Sequence, residues 1–169
     1  MKKTTTLLIG VALLATAGCA KKRPEVLPPS PGTTTPTPPP GGDTTTGVIP
    51  GSPEDFRRSV MGDTVYFALD QHDIDAEARA ILDSQARWLA QYPNRRITIE
   101  GHADERGTRE YNLALGDRRA NSAKNYLAAR GVSPARITTI SYGKERPVAL
   151  GSNESAWAQN RRAVTIVLN

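Results

Sequence analysis

Residues 96–131 read RITIEGHADERGTREYNLALGDRRANSAKNYLAARG, and the two halves of this stretch follow different periods. From Arg96 to Glu100, apolar Ile97 and Ile99 alternate with polar residues, the period of a half-buried strand. After a glycine-bounded segment, Gly101 to Thr108, the spacing changes. Leu113, Ala120, Ala123 and Leu127 recur at helical intervals, so a long helix is predicted there, stopped by Gly131. A strand, a polar loop and a helix in direct succession are half of an α/β unit, and that sets the class of the fold.

Outward from this stretch the alternation continues. Residues 64–69, TVYFAL, read as a strand with Val65, Phe67 and Leu69 on one face. Asp75 is placed to cap a helix whose Ala78, Ile81, Leu82, Gln85 and Leu89 repeat at three and four, closed before Pro93. Residues 136–142 form a third predicted strand, a short helix runs from Asn153 to about Asn160, and residues 163–168 form the last strand. That strand is apolar on both faces, as expected where helices cover one side and the other is partly buried. The expected fold is α/β: a two-layer sandwich with a mixed four-stranded sheet and helices packed on it. Right-handed crossovers are expected wherever neighbouring strands run parallel.

Upstream the composition changes. Ten of the 13 prolines fall between Ala20 and Pro53, where 22 of 34 residues are Pro, Thr or Gly and none is aromatic. So few apolar side chains cannot offset the entropy of ordering a chain, and the segment reads as a disordered tether. In extended polyproline form, at ~3.1 Å per residue, it would reach roughly 100 Å. Before it stand Lys2, Lys3 and an apolar run over residues 7–15, too short for the ~20 residues a membrane-spanning helix needs. This has the form of an export signal. Leu14-Ala15-Thr16-Ala17-Gly18-Cys19 resembles a bacterial lipoprotein signal, although a larger aliphatic residue is usual where Thr16 stands. The predicted division is a signal over residues 1–18, an acylated Cys19 heading a tether over 19–53, and one domain over 54–169.

The formal charge of +5 is concentrated outside that domain, which itself holds 17 basic and 15 acidic residues. Such a balance lacks the single-sign surface of a nucleic-acid binder. Hydrolysis has no obvious nucleophile, since there is no Gly-x-Ser-x-Gly turn and Cys19 lies outside the domain. Asp70, His72, Asp73 and Asp75 superficially suggest a calcium loop, but a glycine at its sixth position and a carboxylate at its twelfth are lacking. His102, Asp104 and Glu105 have no partner at zinc spacing. What remains is a carboxylate at a strand exit, Asp104, and an arginine on the next helix, Arg119. The two could clamp a zwitterionic amino-acid head, the guanidinium on its carboxylate and the aspartate on its ammonium. Equally, they could form an ion pair that ties loop to helix.

Gly101-His102-x-Asp104 followed by Asn112-x-x-Leu115-x-x-x-Arg119-Ala120 resembles the OmpA-like peptidoglycan-binding domain family. Residues 101–108, Ser141-Tyr142-Gly143-Lys144-Glu145 and Asn160-Arg161-Arg162-Ala163-Val164 extend the likeness to the family's lipid-anchored members, as do the signal and tether. Gly116 stands where the wider family commonly has serine. The resemblance implies a non-enzymatic protein that needs no cofactor and binds the diaminopimelate of uncrosslinked peptidoglycan stems. Arg119 would take the carboxylate and Asp104 the ammonium, with Asp70 as a second ligand-contacting aspartate. Arg106, Thr108 and Leu115 would support the peptide, Asn112 would hold the loop to the helix, and His72 stands near. It also implies an outer-membrane anchor through acylated Cys19, a domain facing the periplasm, and a protein partner, TolB of the Tol envelope system, acting in envelope integrity and cell division. A wall anchor without Tol partners and a wall hydrolase are the competing readings.

Overall fold

The computed structural model describes residues 47–168; the predicted signal, Cys19 and tether residues up to 46 lie outside them. The described chain opens with a helix that periodicity does not reveal, α1 (Pro53–Ser59), because its seven residues bury a single side chain, Phe56. Capping chemistry accounts for it. The Ser52 hydroxyl accepts from the Asp55 amide at 3.1 Å, Pro53 presets the first turn, and acidic residues begin the helix while basic ones end it.

The order continues β1 (Thr64–Tyr66), α2 (Ala76–Gln91), β2 (Ile97–His102), α3 (Arg109–Ala129), a 3₁₀ turn, β3 (Ile137–Gly143), α4 (Glu154–Asn160) and β4 (Arg162–Val167). The Asp75 side chain caps α2 as the sequence suggests, and Asn153 caps α4 in the same way. The four strands lie in the order β1-β4-β2-β3, with β2 and β3 parallel and β4 antiparallel to both of its neighbours. Strands β1, β2 and β3 therefore point the same way, and their exits gather at one pole of the sheet. The mixed two-layer fold expected from the sequence is the one observed.

Two strands differ from expectation: β2 runs on through Gly101 and His102, which the sequence places in the loop, and β1 stops short. β1 ends at Tyr66, and Leu69 does not join Val65 and Phe67 in the core but is 57% exposed. The backbone leaves the ladder after Phe67, whose amide still reaches the Arg161 carbonyl, and then turns: the Gln71 amide bonds to the Ala68 carbonyl. Asp70 sits in that turn at φ 61°, a left-handed conformation that Asp tolerates better than most residues.

Leu82, Leu89, Ile97, Ile99 and Leu127 lie in the core with no exposed surface. Each such side chain contributes about 1.5–3 kcal/mol relative to an exposed one. At one point helix α3 rests on β2 backbone to backbone. A Cβ on Gly101 would lie 1.8 Å from the Gly116 carbonyl oxygen, and one on Gly116 would lie 2.3 Å from Ser141 Oγ. The Ser141 hydroxyl donates to the Leu113 carbonyl at 2.7 Å, fastening the same helix to β3. The opposite face of the sheet is only partly covered, with Tyr66, Ile140 and Ile166 each exposed by 39% or more. The described chain comes in at the other pole. There buried Gly51 packs on Tyr92, just ahead of β2, and its amide donates to Asp55 Oδ2, which also accepts from the Trp88 indole.

Candidate functional site

At the pole where the strands exit lies a cleft of about 370 Å³, lined by Leu69, Asp70, Asp104, Arg106, Tyr111, Leu115 and Arg119 with their neighbours Gly107 and Asn112. One face of α3 supplies much of it. Thr108, Tyr111, Leu115 and Arg119 follow at steps of three and four, so they stack along one side of the helix. Thr108 is its N-cap, accepting from the Tyr111 amide at 3.2 Å, and therefore stands at the start of this face.

Arg119 is fully buried, and its guanidinium is held by backbone alone. Nε donates to the Gln71 carbonyl at 2.9 Å, Nη1 to His102 at 2.8 Å and Nη2 to Ala68 at 3.3 Å. The turn after β1 and the exit of β2 thus converge on one side chain, and two of its five N–H groups are left over for another partner. Burial lowers its pKa to about 10, with Asp104 and Asp70 pulling the other way, so it remains charged at neutral pH.

Asp104 does not pair with Arg119. Its Oδ1 accepts from the Arg106 amide at 3.1 Å and Arg106 Nε at 3.2 Å, while Oδ2 takes Arg106 Nη2 at 2.6 Å and Arg161 Nη1 at 3.5 Å. The loop-to-helix ion pair that charge types alone allow is therefore not the one formed. Burial pushes the Asp104 carboxyl up, but the Arg106 and Arg161 bonds outweigh it and hold the group below the usual carboxylate range. Arg106 in turn lies over the Trp157 ring at 4.0 Å, and Arg161 reaches the Phe67 carbonyl at 3.0 Å and Glu154 at 2.7 Å.

The loop itself is pinned from two sides. Asn112 Nδ2 donates to the Arg106 carbonyl at 2.7 Å, and Lys144 Nζ donates to the Glu105 and Gly107 carbonyls at 3.1 and 2.7 Å. Asn112 thus ties loop to helix, as expected.

Of the residues singled out in the sequence, Asp70, Asp104, Arg106, Leu115 and Arg119 meet in the cleft, and Thr108 caps the helix that carries two of them. His72 does not line it; its ring sits 3.4 Å from Ser122 Oγ, further along α3. Sequence reasoning missed Tyr111, whose hydroxyl donates to Asp70 Oδ1, and Arg161, the buried second partner of Asp104. Tyr111 carried a signal, standing four residues before Leu115 and eight before Arg119, on one helical face.

The fold that frames this cleft is shared with known proteins. The chain belongs to the OmpA family, whose profile matches residues 66–161. A peptidoglycan-associated lipoprotein from Rhizobium meliloti (strain 1021) is 52% identical over 157 residues, covering 93% of this chain and 84% of that relative. The crystal structure of the peptidoglycan-associated lipoprotein from Burkholderia pseudomallei is similar at a TM-score of 0.61 and 45% identity, over 63% of this chain and 90% of that one. Within the OmpA family the chain therefore falls in the branch of the peptidoglycan-associated lipoproteins. The cell wall anchor of the type VI secretion system from Pseudomonas aeruginosa is also similar in fold, with a TM-score of 0.54 and 25% identity over 63% of this chain and 80% of that one.

Proposed function

We propose that this protein is a lipid-anchored wall binder: its domain, residues 54–169, grips peptidoglycan non-covalently, and acylated Cys19 with the tether over residues 19–53 links it to the outer membrane. The observation that carries the reading is the cleft, where a buried arginine with unused donors lies among two aspartates. That charge pattern complements the side-chain end of diaminopimelate, which bears a carboxylate and an ammonium. Arg119 takes the carboxylate in a two-pronged bond, and Asp104 takes the ammonium with Asp70 beside it. Because Arg106 covers Asp104 in the free protein, binding exchanges that internal pair for the ligand's ammonium. Leu115 forms apolar floor, and Thr108 fixes the start of the helix.

The similarity to peptidoglycan-associated lipoproteins supports the same reading, and with it a place in the Tol-Pal system, with TolB as a periplasmic partner in envelope integrity and cell division. Because the anchor and many wall sites act together, each single contact need not be tight. The test is sedimentation of the full-length chain with wall containing diaminopimelate. The wild type should pellet, Asp104→Ala and Arg119→Ala should stay in solution, and the wall should release no soluble fragments. Equal pelleting of both variants would sink the site. Failure to capture TolB from a periplasmic extract, with wall binding intact, would leave a wall anchor outside the Tol-Pal system.

A further inference from the structure

Asp70 is an exposed aspartate on a left-handed turn, and a carboxylate so placed is free to rotate toward solvent. Among the described residues its side chain has one hydrogen-bond partner, the Tyr111 hydroxyl. Tyr111 comes from the other wall of the cleft, and its own position is well defined. It stands in the first turn of α3, its amide on the Thr108 cap at 3.2 Å. Its ring lies against Gly107, where an added Cβ would be 3.6 Å from Cδ1, and the Arg118 guanidinium sits 5.9 Å from the ring centre. The phenol thus bridges the cleft from a fixed helix to a turn whose backbone carbonyls hold Arg119.

We propose that Tyr111 is a positioning residue for the wall site: its hydroxyl fixes the Asp70 carboxylate so that the second oxygen faces the cleft, prepared for the ligand's ammonium. This rests on the reading of the cleft given above. The chemistry is consistent with a permanent donor, since the Asp70 hydrogen bond pushes the phenol above its ordinary range and keeps its proton in place. Preorganisation of this kind acts by sparing the ligand the cost of ordering the carboxylate. An ordering benefit the size of one ordinary hydrogen bond corresponds to about three- to tenfold in affinity.

The test is a double-mutant cycle on the full-length chain in detergent, titrated calorimetrically with a soluble muropeptide whose stem ends in meso-diaminopimelate. Tyr111→Phe removes only the hydroxyl, and Asp70→Asn removes the charge while keeping a residue that tolerates the left-handed turn. Tyr111→Phe should weaken binding about three- to tenfold, and in the Asp70→Asn background it should cost nothing further. The Asp70 Cβ proton couplings should pass from one fixed rotamer to an average in Tyr111→Phe, a change that a role in general stability would not produce. Binding by Tyr111→Phe equal to or tighter than the wild type, or losses that simply add, would overturn the proposal. Arg119→Gln and Asp104→Asn separate the two levels. If both bind like the wild type, the cleft is not the wall site and the Tyr111 role falls with it. If either loses binding while the cycle shows no coupling, only the Tyr111 role is wrong.

Discussion

Gly101→Ala puts one methyl group where helix α3 touches strand β2. Its Cβ would stand 1.8 Å from the Gly116 carbonyl oxygen and 2.6 Å from the carbonyl carbon, both backbone atoms that no rotamer change can move. Relief to an ordinary contact of about 3.3 Å requires the helix to retreat by roughly 1.5 Å. The Arg119 Nη1 bond to the His102 carbonyl, 2.8 Å long, would not survive that shift, because β2 carries the acceptor and α3 the donor. Overpacking of this kind costs about 1–3 kcal/mol, and a buried guanidinium donor left without its partner about 1–3 kcal/mol more. The expected loss is about 2–6 kcal/mol, to be read from urea unfolding at fixed pH, accompanied by loss of sedimentation with wall in the fraction that remains folded. A Gly101→Ala chain within about 1 kcal/mol of the wild type that still pelleted with wall would refute the backbone contact and its link to Arg119.

Three further outcomes are expected. His102 is buried, its ring nitrogens are without hydrogen-bond partners, and burial followed by the nearby Arg162 and Arg146 charges lowers its pKa from 6.5 to about 4. The unfolded chain therefore binds this proton first: stability from this group is complete above pH 6.5 and falls by about 3 kcal/mol as pH drops to 4, a slope that urea titrations of His102→Asn should lack. Asp55→Ala removes the acceptor shared by the Gly51 amide and the Trp88 indole, and should speed amide exchange at Gly51 and shift the Trp88 fluorescence while leaving wall binding unchanged. Asn160 accepts from the Val148 and Ala149 amides and donates to the Ala149 carbonyl, so Asn160→Ala should cost about 2–3 kcal/mol in thermal or urea unfolding and expose the 147–150 loop to protease.

The elements legible in the sequence were those with a period to read. Ile97 and Ile99 announce β2, and Asp75 announces its helix because a cap acts locally. Helix α1 was hidden because one buried phenylalanine makes no pattern, and β1 was drawn too long because Leu69 continues an alternation that the turn at Asp70 interrupts. At the site, Asp104 and Arg119 were recognisable as a carboxylate at a strand exit and an arginine on the next helix, and Asp70 through the likeness to the family. Their partners were not. Besides the local Arg106, the second arginine on Asp104 depends on β4 lying beside β1 and β2, a long-range contact that brings Arg161 within reach from 57 residues away.

The described chain comes in beside Tyr92, at the start of β2, whereas the cleft opens where β1 and β2 end. On the proposed function, tension that enters the domain at residue 47 against a ligand held in the cleft is directed along the strands. Hydrogen bonds between β2 and β4 lie across that direction, joining the segments from Ile97–Val167 to Gly101–Ala163. Tension of this kind loads the whole ladder in shear, so its bonds resist together instead of unzipping one after another, which is the arrangement a small head needs to bear force without a larger core.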